Sequence, residues 1–175
     1  MTGANPHNPT LETERLLLRT PDARDLTEML RFFTSQRAQF YGGPLSTGEG
    51  WNRFAVYAGQ WALRGYGFFA ITARDTGETL GLAGPHHPYD FDAPEMSWLL
   101  TEDRREGHGY AFEACQAVLR HLFATQPWTS VVSFIDPANA ASRALALKLG
   151  AERDTGTPAP AALPGCDTFR HRRAA

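Results

Sequence analysis

Cysteine is scarce. The 175 residues hold two, Cys115 and Cys166, and neither belongs to a CxxC pair. Zinc-finger and thioredoxin-type chemistry therefore finds no ligands, and no metal is expected. Long apolar runs are missing too. No stretch approaches the ~20 apolar residues of a membrane helix, so no membrane association is expected. The opening residues 1–10, rich in Pro and Asn, lack the apolar centre of an export signal. A structural disulfide is thus not expected, and the cytoplasm is the expected compartment. Positive charge is not in excess: 17 Lys and Arg face 19 Asp and Glu, a formal net charge of -2. Nucleic-acid binding draws on a basic face or stripe. The one basic cluster, Arg170-His171-Arg172-Arg173, reads as a solvated tail, and no nucleic-acid partner is expected.

What is present suits one globular domain. Apolar residues make up 42% of the chain, enough for a core. Residues 1–10 read as a flexible lead and 11–175 as the domain. Leu16, Leu17 and Leu18 suggest a first strand over 15–19. Asp22 caps a helix, with Asp25 completing a capping box, and Leu26, Met29, Leu30 and Phe33 fall on one helical stripe. After Gly42-Gly43-Pro44, Ser46 or Thr47 starts a second helix. Its expected inner stripe is Trp51, Phe54, Ala55, Ala58 and Trp61, with Gly65 as its stop. Residues 68–72 and 79–83 form a hairpin, which Gly84, Pro85 and Pro88 interrupt. Residues 95–100 give the next strand, 110–123 a helix, 131–135 a strand and 138–149 a helix closed by Gly150. Residues 152–172 supply two further strands, separated by the Pro/Ala-rich segment 157–164. The order β-α-α-β-β-β-α-β-α-β-β has helix-free connections in its middle, which need antiparallel neighbours. The expected fold is α+β with a mixed, mostly antiparallel sheet flanked by helices.

Between the strand at 95–100 and the next helix lies Arg104-Arg105-Glu106-Gly107-His108-Gly109-Tyr110-Ala111. Glycines let backbone approach a ligand closely and take positive φ. The helix beyond them aims free N–H groups and its dipole at whatever fills the turn, a good match to a pyrophosphate. Arg104 or Arg105 can add charge-assisted bonds. Two rival phosphate motifs fail. Phe112 stands where a dinucleotide fingerprint needs its third glycine, and no Lys follows Gly109 as a P-loop requires.

Arg-x-x-Gly-x-Gly at such a junction resembles the Q/R-x-x-G-x-G/A signature of the GCN5-related N-acetyltransferases. A second segment, Asn139-Ala140-Ala141-Ser142 followed by Leu147-Lys148-Leu149-Gly150, resembles the family's N-x-x-S and K-L-G helix. Thr13-Glu14-Arg15-Leu16 and Glu95-Met96-Ser97-Trp98 are similar to the opening and the central strand of its ribosomal-protein N-terminal acetyltransferase branch. The resemblance runs from about residue 11 to residue 171. It implies acetyl transfer from acetyl-coenzyme A, the co-substrate, to an amine acceptor, either a small molecule or a protein N-terminus, by direct attack in a ternary complex. It implies that Arg104, Arg105, Glu106, Gly107, His108, Gly109, Tyr110 and Ala111 hold the pyrophosphate, and that backbone at Leu99, Leu100 and Thr101 grips the pantetheine arm and offers an oxyanion donor. Many members carry a tyrosine acid in the last helix. Leu145, Ala146 and Leu147 stand there, which leaves Ser142 as the hydroxyl for the leaving thiolate.

The remaining chemistry is proton removal, since only a neutral amine attacks a thioester. Glu95 is the candidate base, directly or through water; the alternative is a solvated strand carboxylate. Asn139 either bonds the pantetheine or caps a helix. His86 and His87 follow a strand and are candidates to line the acceptor cleft, as are Phe40 and Tyr41. Cys115 lies on an apolar helix face as a structural thiol. A competing function is a non-catalytic acyl-coenzyme A sensor that keeps the turn and lacks the chemistry.

Overall fold

Local signals set the first helices. Asp22 N–H donates to Asp25 Oδ2 at 2.9 Å, and Asp22 Oδ1 accepts from Arg24 N–H at 2.9 Å. This box opens a short 3-10 turn that runs into α1 (Leu26–Phe33). Ser46 and Glu49 form the second box, heading α2 (Thr47–Arg64), and Gly65 ends it with φ 72°. The chain is seen in a computed structural model describing residues 9–174; the expected lead over 1–10 lies mostly outside the described residues.

The strands are β1 (Leu11–Glu12), β2 (Leu16–Arg19), β3 (Phe69–Ala73), β4 (Thr79–His86), β5 (Glu95–Leu100), β6 (Ser130–Ile135), β7 (Glu152–Arg153) and β8 (Asp167–Arg172), with α3 (Tyr110–Thr125) and α4 (Ala140–Lys148) between the later ones. They form one eight-stranded sheet in the order β1-β2-β3-β4-β5-β6-β8-β7. Every neighbouring pair is antiparallel except β5 and β6. This is the expected mixed α+β fold, with β1 added at the edge.

Period-two alternation sends β5 side chains to two cores. Met96, Trp98 and Leu100 pack with Cys115, Val118 and Leu122 of α3. Leu99 packs on the other face with Met29 and Phe33 of α1 and Phe54 and Tyr57 of α2. Gly81 of β4 lies so close to β5 that a Cβ there would fall 2.0 Å from the Leu99 carbonyl oxygen.

Three local expectations change. Trp51 is 52% exposed and Ala55 is exposed, so α2 buries Gly50, Phe54, Tyr57, Gln60 and Trp61 instead. The reason is Gly50: a Cβ there would meet Leu30 at 3.2 Å and Phe33 at 3.3 Å. That close approach to α1 turns Trp51 outward. β4 runs on through Gly84 and Pro85 to His86. Pro85 opposes Met96, whose carbonyl faces β6, so the proline nitrogen faces the side where β3 has already ended at Phe69 opposite Ala83. No ladder bond is lost there. Finally, Arg170, His171 and Arg172 are the end of β8 rather than a tail, with His171 buried.

Candidate active site

The parallel pair β5 and β6 meets at one position, Glu95 opposite Val132. Val132 N–H donates to the Pro94 carbonyl at 3.2 Å. Beyond that point the strands part, and side chains replace the ladder. Ser133 Oγ donates to the Met96 carbonyl at 2.5 Å. Its proton being spent, it accepts from His171 Nε2 at 3.0 Å. Further along β5, the Trp98 carbonyl accepts from the Tyr41 hydroxyl and the Leu100 carbonyl from Arg37 at 3.0 Å.

These contacts assign the β5 backbone. The Leu99 carbonyl faces Gly81 of β4, and Thr101 N–H donates to Leu80 at 2.9 Å. In an extended strand the N–H and C=O of one residue point the same way. Of Leu99, Leu100 and Thr101, only Leu100 therefore aims its amide into the gap. The second amide aimed there belongs to Trp98, which the sequence reading missed. Leu99 keeps its side chain in the α1/α2 core while bordering the channel, and Thr101 is buried with Oγ1 also on Leu80.

The gap opens on a channel of about 690 Å³ that runs past Gly107, Gly109, Tyr110 and Ala111 to Ser142 and Lys148. Gly107 has φ 74° and Gly109 φ 81°, the left-handed region that glycine enters freely. No side chain caps α3, so its first-turn N–H groups remain free for an anion. Arg15 braces this turn from outside. Its Nη1 donates to the His108 carbonyl at 2.9 Å, its Nε to Glu113 at 2.7 Å, and its guanidinium lies 4.6 Å from the Tyr110 ring centroid. Thr13 holds the same Glu113 at 2.6 Å.

The two expected arginines are placed differently. Arg104 and Arg105 both donate to Glu102 Oε2 at 2.7 Å. Arg104 faces a separate groove, whereas Arg105 borders the channel while committed to its carboxylates. His108 does not line the channel with its side chain; its carbonyl is the group that Arg15 holds. The further cations at the channel are Arg37, paired with Asp103 and Glu106, and Lys148, 4.6 Å from the Phe112 ring centroid. Neither was foreseen.

A second cavity, of about 610 Å³, lies on the other side of the gap. The two share Phe40, Tyr41, Trp98, Asn139 and Ser142 as common walls. Asn139 Oδ1 accepts from Ser142 N–H at 3.1 Å, so it caps α4 while bordering both cavities. The Ser142 hydroxyl has no hydrogen-bonded partner among the described residues.

Glu95 lies in the second cavity, 7% exposed. Burial pushes its carboxyl up to about 8, against a lesser downward pull from the Phe134 amide, which faces it where the strands part. It is no solvated strand carboxylate. His86, its direct cross-strand partner, lines the same cavity and is pushed down to about 4 by burial. Tyr57 packs on His86 at 5.1 Å between ring centroids. His87 turns away to the Tyr66 hydroxyl at 2.7 Å. Cys115 is buried in the core with its thiol pushed up by desolvation, while Cys166 borders the cavity. Among the described residues no cluster of three or more His, Cys, Asp or Glu could hold a metal ion, and no helix is long and apolar enough to cross a membrane.

The model of the acetyltransferase (GNAT) domain matches residues 15–152. The chain belongs to this family. It is similar to YkkB of Bacillus subtilis (strain 168), 32% identical over 146 residues that cover 80% of this chain and 83% of YkkB. Its fold matches the acetyltransferase from Agrobacterium tumefaciens str. C58 with a TM-score of 0.88 and 33% identity, over 94% of this chain and 95% of that one. RimL, a ribosomal L7/L12 alpha-N-protein acetyltransferase solved with coenzyme A, shares the fold at 16% identity and a TM-score of 0.74, over 94% and 98% of the two chains. The GNAT family uses acetyl-coenzyme A, and the residues of the channel suit such a molecule: the uncapped start of α3 stands at one end and the β5 amides of Trp98 and Leu100 are aimed at the gap. In this GNAT chain the opening Thr13 and Arg15 serve the turn from a distance. Only the tertiary fold brings them to Glu113.

Proposed function

We propose that this protein transfers an acetyl group from acetyl-coenzyme A to a primary amine, by direct attack while donor and acceptor are bound together. The observation that carries this is the meeting of two cavities at Tyr41, Trp98, Asn139 and Ser142, one reaching the uncapped start of α3 and the other holding Glu95. The donor enters from one side and the acceptor from the other, so no acetylated residue is needed between them. The free N–H groups of Tyr110, Ala111 and Phe112 hold the pyrophosphate, and Lys148 adds charge.

The amine nitrogen forms a bond to the thioester carbonyl carbon and the carbon–sulfur bond breaks. Glu95, as carboxylate, takes the proton the amine gives up, directly or through water. A base near 8 is well matched to an α-amine of ordinary pKa ~8. The Trp98 or Leu100 amide faces the oxygen on which charge develops. The Ser142 hydroxyl donates to the departing thiolate and takes a proton from solvent as it does so, so that the coenzyme leaves as a thiol and the serine is restored.

Initial rates with acetyl-coenzyme A and an amine, each varied against the other, should give intersecting double-reciprocal lines. Parallel lines would show an acetyl-enzyme. A chain that binds the coenzyme and acetylates no amine would be an acyl-coenzyme A sensor.

A further inference from the structure

Arg53 is the unpaired cation of the acceptor cavity. It projects from α2 into that cavity, half-buried, and its Nη1 donates to the Tyr41 carbonyl at 2.7 Å. It enters no ion pair among the described residues, whereas Arg19, Arg37 and Arg170 are each bound to a carboxylate. A partly desolvated guanidinium with donors left over is a fork for a carboxylate. Two carboxylates lie at the rim of the cavity. Glu49 bonds the Ser46 amide and hydroxyl at 2.8 and 2.7 Å, and Asp136 bonds the Ala138 amide at 2.8 Å. Both are exposed and engaged with their own helix starts.

The floor is different. Arg53 and Tyr57 are one turn apart on α2 and so share a face. Tyr57 packs on His86, and His86 stands opposite Glu95. Arg53 is thus two side chains away from the candidate base. The walls between and above are apolar, formed by Phe91, Phe134, Ile135 and Leu163. A polycationic acceptor would want several carboxylates in this floor, and beside the single buried carboxyl of Glu95 it meets a guanidinium.

We propose that the acceptor is a small amino acid-like molecule, its carboxylate held by Arg53, its amine presented to Glu95 through a water that spans the width of Tyr57 and His86, and its apolar or aromatic body against Phe91, Phe134 and Leu163. This rests on the acetyl-transfer reading above and names its substrate class. Arg53 sorts acceptors by the anion they carry. The apolar walls sort them by the size of the body.

The test uses the full chain, acetyl-coenzyme A and matched acceptors: phenylalanine with phenethylamine, and leucine with 3-methylbutylamine, plus the amides of both amino acids and a short peptide with a free N-terminus. Each decarboxylated amine keeps the body and loses only the anion. Wild type should show kcat/KM about tenfold or more higher for the carboxylate-bearing member of each pair, the scale of a charge-assisted bond. Arg53→Gln should bring that ratio down to near one, and Arg53→Lys should keep part of it. A coenzyme-induced rise in Tm retained by both variants would show that they are folded. Turnover with no carboxylate preference, or with the peptide or amides preferred, overturns this proposal and leaves the acetyl-transfer reading standing. No turnover of any acceptor overturns both.

Discussion

Glu95 of β5 and His86 of β4 stand directly opposite one another across the antiparallel ladder, and both line the cavity beside the β5–β6 gap. The same burial moves them in opposite directions. It holds a proton on the carboxyl and keeps one off the imidazole. Near neutral pH this pair is therefore largely uncharged, and the carboxylate form of Glu95 becomes prevalent only as the pH passes about 8.

Glu95→Gln keeps the shape and removes the base. The rate at pH 7 should fall by about 10²–10⁴-fold and recover in part at higher pH, where the amine loses its proton unaided. Recovery should be larger for an α-amine than for a lysine, which titrates ~2 units higher. The wild-type profile should rise toward pH 8 rather than level off near the ordinary carboxylate value. Stability gives a second reading. The folded pKa is raised from 4.5 to about 8, so the folded state binds the extra proton, and wild type loses stability as pH climbs through that window. Glu95→Gln removes this loss, so denaturant midpoints should show it gaining on wild type between pH 5 and 8 and level above. An unchanged rate and pH profile would take Glu95 out of the proton path.

Acid should act through two histidines. Burial pushes His86 and His171 down to about 4. A group whose folded pKa is depressed stabilises the fold above its unfolded value, and that contribution is lost as pH falls. Stability should decline between pH 6.5 and 4, and His86→Gln and His171→Gln should each flatten the decline. Equal slopes in all three proteins, followed by chemical denaturation, would mean that neither ring is held neutral.

Gly109→Asp should abolish coenzyme binding. The substitution forces a side chain onto φ 81° and places a carboxylate where the start of α3 would meet phosphate. Coenzyme A should raise the Tm of wild type by mass action and leave that of the variant in place. Equal affinity in both would remove this turn from the site.

Ser142→Ala should lower kcat by more than it raises KM for acetyl-coenzyme A, the pattern of an interaction made in the transition state. Ser142 borders both cavities, so a change confined to KM would make it a binding residue instead.

Capping boxes, stripe spacing and turn glycines act within a few residues, and for that reason the sequence alone determined the order of the elements from β2 onward, the glycine turn before α3 and the Asn139–Ser142 corner. It also marked Glu95 as a residue worth testing. Contacts between distant segments have no such local pattern. Gly50 turning Trp51 outward, Arg105 spent on Glu102, and Arg15 reaching Glu113 each depend on packing across the fold. So does the β5 backbone. Whether Leu99 or Trp98 offers its amide depends on which side β4 occupies and where β6 departs, and hydrogen bonds between strands decide that. Arg53 of α2 and Glu95 of β5, far apart in the chain, border one cavity only in the folded molecule. The sequence determined which residues could do chemistry, and the tertiary structure decided which of them face the gap.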